Sequence, residues 1–460
     1  MKSKLFCISV IACFAIIIGF TGCSKSDSKG NHRDETELIK KFEKAMMEQY
    51  YYWASQMRAP QDASSYTPYT YFNALKVSQD RWSWMCDGDT YQASQTGVAT
   101  SFGFHLKQPI NYYKDYGVYI SYVDKNSPLA KAGVTRGWRL DKIDGSPVMN
   151  YVNNNTFEQE LAKSNNNFTF INLDGDEVSL SLTQATFKSN SVIATQIFDH
   201  SNYPPLPSSK KVGYINYITF NENLSSEILD ALSQMKSAGI NELILDLRYN
   251  GGGDLNLCSD IASLLVPGSA HGKTFLHIAH NNMQSSNDFY KKFNHTSNSL
   301  DLNRLYVITT KNTASASESI INGLSPFLEV ITIGETSYGK PNGMYVILYP
   351  NNAKTYSEID YAFYPICFYC LNSDEKADFA NGINPTYERA DDLYHNFGPE
   401  EDLINSALYH IATNSLPPAP IIPTSTKQYS PSYKNIIIKG AEECEGYGKA
   451  TFKMGLKEFF

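Results

Sequence analysis

Three serines, Ser315, Ser317 and Ser319, stand among small residues in the stretch KNTASASESI. A serine hydroxyl attacks a carbonyl only when a base takes its proton and N–H donors hold the oxyanion that forms. The identity of the base is therefore the first question. Nine histidines are present (His32, His105, His200, His271, His277, His280, His295, His395 and His410), none in a catalytic motif, and the GxSxG elbow is absent. A lysine serves equally well where burial disfavours its ammonium form. Other chemical motifs are incomplete. Ser337 to Lys340 spells SxxK without its SDN and KTG partners, and Gly268 to Thr274 is one spacer short of a phosphate-binding loop. Cys367 and Cys370 form a lone CxxC with no second pair, so a zinc site is poorly supported and two cysteines in a partly buried strand are expected.

The elements around the serines set their position. LYVITT, Leu305 to Thr310, is a short apolar run that reads as a buried strand. SESIINGL, Ser317 to Leu324, spaces Ile320, Ile321 and Leu324 for one helix face. The serines thus sit at a strand-to-helix turn. Upstream, VGYINYITF, then LSSEILDALSQMKSAG closed by Gly239, then LILDL read as strand, helix and strand, and RYNGGG turns into a helix near Asp254. Strands alternating with helices predict βαβ crossovers and a largely parallel sheet. From Glu37 to about Ser94 the pattern is helical, with Phe42, Met46, Gln49 and Trp53 near one face. From Thr96 the texture changes to short strands and turns. Phe102-Gly103-Phe104, then YGVYISYVDKNSPLAKAGV, then RGWRLDKIDG with Asp144-Gly145 as a tight turn, resemble in this order a PDZ domain of the bacterial protease type. The resemblance implies that Phe102, Gly103 and Phe104 form a loop binding a peptide's terminal carboxylate, with a sheet edge accepting the peptide as an added strand. Gly137-Trp138 departs from the Gly-Asp usual there.

Composition bounds the partners. With 460 residues, 42% hydrophobic and 19% charged, the chain is long enough for two or three globular domains. A net charge of -8 and no basic stripe argue against nucleic acid. The start of the chain, Lys2 and Lys4 before an apolar run from Leu5 to Phe20, reads as a targeting segment too short to span a membrane. Its Gly22-Cys23 ending resembles a bacterial lipobox, which implies lipidation at Cys23, a membrane partner through that anchor, and a place in the cell envelope. A polar tether follows, and the five cysteines remaining, Cys86, Cys258, Cys367, Cys370 and Cys444, show no framework spacing.

Taken together, LILDLRYNGGG, TASASE and GETSYGK resemble the signature blocks of the C-terminal processing peptidases, or tail-specific proteases. The resemblance covers about Thr96 to His410 and implies a Ser/Lys dyad, with Ser315 as nucleophile and Lys340 as base, at the family's usual interval. It implies polypeptide substrates cleaved often near their C-termini, and no metal or organic cofactor. Ser315 lies just ahead of a helix, whose N-terminus favours negative charge, so the Ala316 N–H is one oxyanion donor and the Gly251-Gly252 turn supplies the other. Glu318 is expected to orient Lys340, and Asp246 with Arg248 to pin the glycine turn. Met344 stands where the family usually has a glutamine, and Pro341 follows the lysine where a glycine is frequent. The expected organisation is a signal peptide (1–22), a tether (23–36), a helical segment (37–95), a PDZ-like β-rich domain (96–187), an α/β protease core (188–415) and a tail (416–460). The alternative is an inactive peptide-binding lipoprotein of the same fold. Oligomeric state is not legible.

Overall fold

The computed structural model describes residues 32–107 and 117–418. The signal segment, Cys23, and nearly all of the tail lie outside the described residues.

At the centre is a six-stranded sheet in the order Val192–Phe198, Val212–Tyr217, Glu242–Asp246, Arg304–Thr309, Glu329–Gly334, Tyr387–Glu388. The first pairing is antiparallel and the other four are parallel. Its inner strands are mostly apolar and buried because both faces are covered. Leu243, Leu245, Leu305 and Val307 point to one layer, packed on helices Ser225–Ala238, Leu255–Leu265 and Ala316–Leu324. Ile244, Tyr306 and Ile308 point to the other, under helix Asp402–Thr413.

The expectation of a largely parallel sheet holds for this layer and not for the molecule. A four-stranded sheet (Phe289–Lys292, Thr274–His280, Ile366–Leu371, Asn342–Met344) is antiparallel throughout. The segment from Val98 to Lys188 is likewise antiparallel and has its own core around Phe102, Phe104, Ile120, Leu140, Phe168 and Phe170. These strands are joined by hairpins, or arrive from distant parts of the chain, and neither route requires a crossover helix. Asp144 (φ 48) and Gly145 (φ 77) form the expected tight turn.

The N-terminal region is helical at His32–Tyr50 and Pro68–Leu75. Contrary to the helical reading, Trp84–Asp87 is a strand, paired antiparallel with Tyr361–Tyr364. A partner so distant in the chain leaves no local periodicity to read, and tertiary pairing decides the conformation.

Candidate active site

Strand Arg304–Thr309 runs out of the centre of the sheet, and helix Ala316–Leu324 begins seven residues later. The turn between them is stitched to the end of the neighbouring strand. Thr313 Oγ1 donates to Leu247 O (2.8 Å), the Ala314 N–H to Asn250 O (3.1 Å) and Ser317 Oγ to the same carbonyl (3.0 Å). Thr310 Oγ1 reaches Arg248 O. Held this way, Ser315 takes φ 56 and ψ -115, a conformation L-residues rarely adopt and one that costs on the order of 1–3 kcal/mol.

The glycine turn is pressed directly against it. A Cβ on Gly252 (φ +107) would lie 2.8 Å from Ser315 Cβ and 3.0 Å from the Ala316 nitrogen. Only glycine fits this approach. Of the expected oxyanion donors, the Gly252 N–H is engaged by Asn250 Oδ1 at 2.9 Å. Among the described residues the Ala316 and Gly251 N–H groups have no such partner, which leaves them the donors available to a ligand. Asn250 is a hub that sequence reasoning missed, since its Nδ2 also donates to Tyr217 O at 3.0 Å.

Glu318 is fully buried and joins the serine to the lysine by a route different from the one expected. Its Oε2 accepts the backbone N–H of Ser315 (2.9 Å) and the backbone N–H of Lys340 (2.8 Å). Its Oε1 accepts the Gly339 N–H (2.6 Å) and the Ser337 hydroxyl (2.5 Å). The carboxylate thus clamps two backbones, and the hydrogen bond it accepts from Lys340 comes from the lysine's main chain. Burial pushes its pKa up, while these four donors hold it back.

Lys340 is 1% exposed. Burial drives its pKa well below the ordinary lysine value, against the smaller opposing influence of Cys370, Glu318 and Asp80. Its Nζ stands 3.3 Å from Met344 Sδ, so the methionine in the family's glutamine position faces the amine. Gly339 (φ +88) has no room for a side chain, since a Cβ would meet the Gly382 nitrogen at 2.4 Å and Ala380 O at 2.6 Å. No histidine among the described residues hydrogen-bonds Ser315. His280 is held by Asp288 and Tyr345, His410 by Tyr306 and Tyr387, and His395 by Asp392.

Asp246 and Arg248 are buried and pair with each other rather than with the glycines themselves. Arg248 Nε donates to Asp246 at 3.0 Å and its Nη atoms to Asp391 (2.9 Å) and Glu401 (2.6 and 3.0 Å). Phe102 and Phe104 are buried in the core of their own segment, with the Gly103 carbonyl accepting the Asp124 N–H at 2.9 Å. Their side chains are packing residues rather than an exposed surface. Cys86, Cys258, Cys367 and Cys370 are buried thiols that form no disulfide among the described residues.

Comparison with known proteins points to one peptidase family. The sequence model of peptidase family S41 matches residues 211–388, and that of the S41 N-terminal domain matches 39–84. A chloroplastic C-terminal processing peptidase of Tetradesmus obliquus is 32% identical over 138 residues, 30% of this chain and 28% of its own length. A carboxyl-terminal-processing protease of Synechocystis is 33% identical over 131 residues, covering 28% of this chain and 29% of the relative. The chain therefore matches under a third of the length of these curated relatives. A solved S41 protease from Bacteroides fragilis superposes with a TM-score of 0.65 at 23% identity, covering 81% of this chain and 97% of that one, which shows the shared fold.

Proposed function

The chain belongs to peptidase family S41, and on that premise we propose that it is a serine endopeptidase cutting polypeptides, often near their C-termini, with Ser315 as nucleophile and Lys340 as base. One observation carries this reading: a single Glu318 oxygen accepts the backbone N–H of both residues, beside an amine whose pKa burial depresses. In the reaction, neutral Lys340 Nζ takes the Ser315 hydroxyl proton as Oγ bonds to the substrate carbonyl carbon. The Ala316 and Gly251 N–H groups hold the oxyanion. Collapse expels the amine, which receives the proton from the Lys340 ammonium, and leaves an acyl-enzyme. Water then enters, gives its proton to Lys340, and releases the new carboxyl end while Ser315 regains its hydrogen.

The finer reading is an exported lipoprotein of the cell envelope, anchored at Cys23. Its segment 96–187 acts as a PDZ-like domain that captures an extended peptide or its free carboxylate. The depressed Lys340 pKa and the strained Ser315 favour catalysis over an inactive peptide binder, since both cost stability and a binding protein needs neither. Incubation with casein tests it. Ser315→Ala and Lys340→Ala are each expected to abolish cleavage with an unchanged circular dichroism spectrum; full activity in either variant removes the dyad.

A further inference from the structure

Lys340 follows a glycine, and a glycine cannot hold its own backbone still. The peptide unit joining Gly339 to Lys340 is instead gripped from both sides. Glu318 takes the Lys340 N–H at 2.8 Å on one side. On the other, the Gly339 carbonyl accepts from Arg81 Nη2 at 2.9 Å and from the indole N–H of Trp82 at 3.1 Å. Arg81 Nη2 also donates to the Tyr338 carbonyl (2.8 Å) and the Ala380 carbonyl (2.9 Å), and its guanidinium lies 4.4 Å from the centre of the Tyr338 ring. This pair is itself fixed. Buried Asp80 accepts the backbone N–H groups of Trp82 and Ser83, both at 2.9 Å, and the Tyr51 hydroxyl at 2.8 Å.

We infer that Arg81 and Trp82 are positioning residues for Lys340, and that the N-terminal segment is in this way part of the catalytic centre. The inference rests on the Ser315/Lys340 reading. Three of the hydrogen bonds to this peptide unit and its neighbour come from two residues, Arg81 and Trp82, more than 250 positions away in the chain, and they act on carbonyls, whose orientation fixes the direction in which the lysine leaves the backbone. Losing them frees the plane to turn, moves the amine off the serine, and lets water reach it. Displacements of about 1 Å at such a group cost on the order of a hundredfold in rate.

The test is steady-state cleavage of a quenched peptide across a pH series by Arg81→Ala, Arg81→Lys and Trp82→Phe, with Lys340→Ala as control. Arg81→Ala is expected to lower kcat by about tenfold to a hundredfold with KM nearly unchanged, and to displace the acid limb toward higher pH as the amine becomes hydrated. Arg81→Lys, which keeps a charge and a donor, is expected to recover part of the loss. Trp82→Phe keeps an aromatic side chain but removes the indole donor together with part of the ring's volume, and a smaller fall with the same displacement is expected. Variants with wild-type kcat and an unmoved acid limb overturn the inference, as does a loss matched by the fraction unfolded in a thermal melt. Should Arg81→Ala fail to fold, Trp82→Phe alone decides by the same two readings. Activity surviving in Lys340→Ala overturns the dyad itself and is thereby distinguished.

Discussion

At the scale of single residues, the proposed chemistry depends on an amine kept neutral. Met344 contributes to this. A thioether is a weak acceptor and solvates an ammonium poorly, so the 3.3 Å contact does little to offset the desolvation of Lys340. Met344→Gln would place an amide oxygen there, favour the charged form, and move the acid limb of the pH–rate profile upward by about half a unit to one unit. Met344→Leu, with no acceptor, is expected to leave the limb where it is. The same depression has a stability cost. Below the ordinary lysine pKa of about 10.4 the unfolded chain binds a proton that the folded chain releases, so stability rises with pH between the folded value and that point. Below the folded value the penalty is complete. Lys340→Met removes it, and calorimetry at neutral pH is expected to show an inactive protein more stable by about 1–2 kcal/mol.

At the scale of elements, two turns compose the site: one from strand Glu242–Asp246 through the glycines, one from strand Arg304–Thr309 into helix Ala316–Leu324. Their contact is backbone on backbone, which is why it admits no side chain at position 252. Gly252→Ala places a methyl 2.8 Å from Ser315 Cβ at φ +107. It is expected to lower kcat/KM by about a hundredfold or more while casein binding persists, read by kinetics and by fluorescence anisotropy. These elements were legible in the sequence to within a residue or so at each end. LILDL and LYVITT are apolar without alternation because helices cover both faces, and Gly239 ends helix Ser225–Ala238 in the left-handed conformation that glycine permits. The strand Trp84–Asp87 was not legible, because a partner at Tyr361–Tyr364 selects it.

At the scale of the whole molecule, the segment 98–188 and the central sheet meet through a buried charge network. Arg136 Nη2 donates to Asp391 (2.9 Å) and its Nη1 to Ser121 O (2.7 Å), while Arg248, one residue before the glycine turn's Tyr249, shares Asp391 at 2.9 Å. Tyr249 Oη and Lys107 Nζ close it, at 2.7 and 3.2 Å from the other Asp391 oxygen. Burial alone would raise the Asp391 pKa, yet Lys107, Arg136 and Arg248 together hold it far below the usual carboxylate range. Its contribution is therefore present above the unfolded value of about 3.9 and lost as pH falls through the folded one, in strong acid. Asp391→Asn takes away the anion closest to buried Arg136 and leaves the network with one negative charge fewer, and a urea melt is expected to show a loss of about 3–5 kcal/mol.

The sequence by itself determined the alternating elements, the serine at the strand-to-helix turn, the glycine turn and the lysine block, because each is a local pattern: a run of apolar residues, a turn residue, a motif of fixed spacing. It also marked Glu318 as part of the site, through its place three residues after Ser315. Only the tertiary structure decided what Glu318 does there, which glycine N–H is left for an oxyanion, and that Met344 meets the amine. The grip of Arg81 and Trp82 on Gly339 was equally invisible. Hydrogen bonds between residues hundreds of positions apart carry no periodicity, and side-chain direction within a folded core is set by packing rather than by neighbours in the chain.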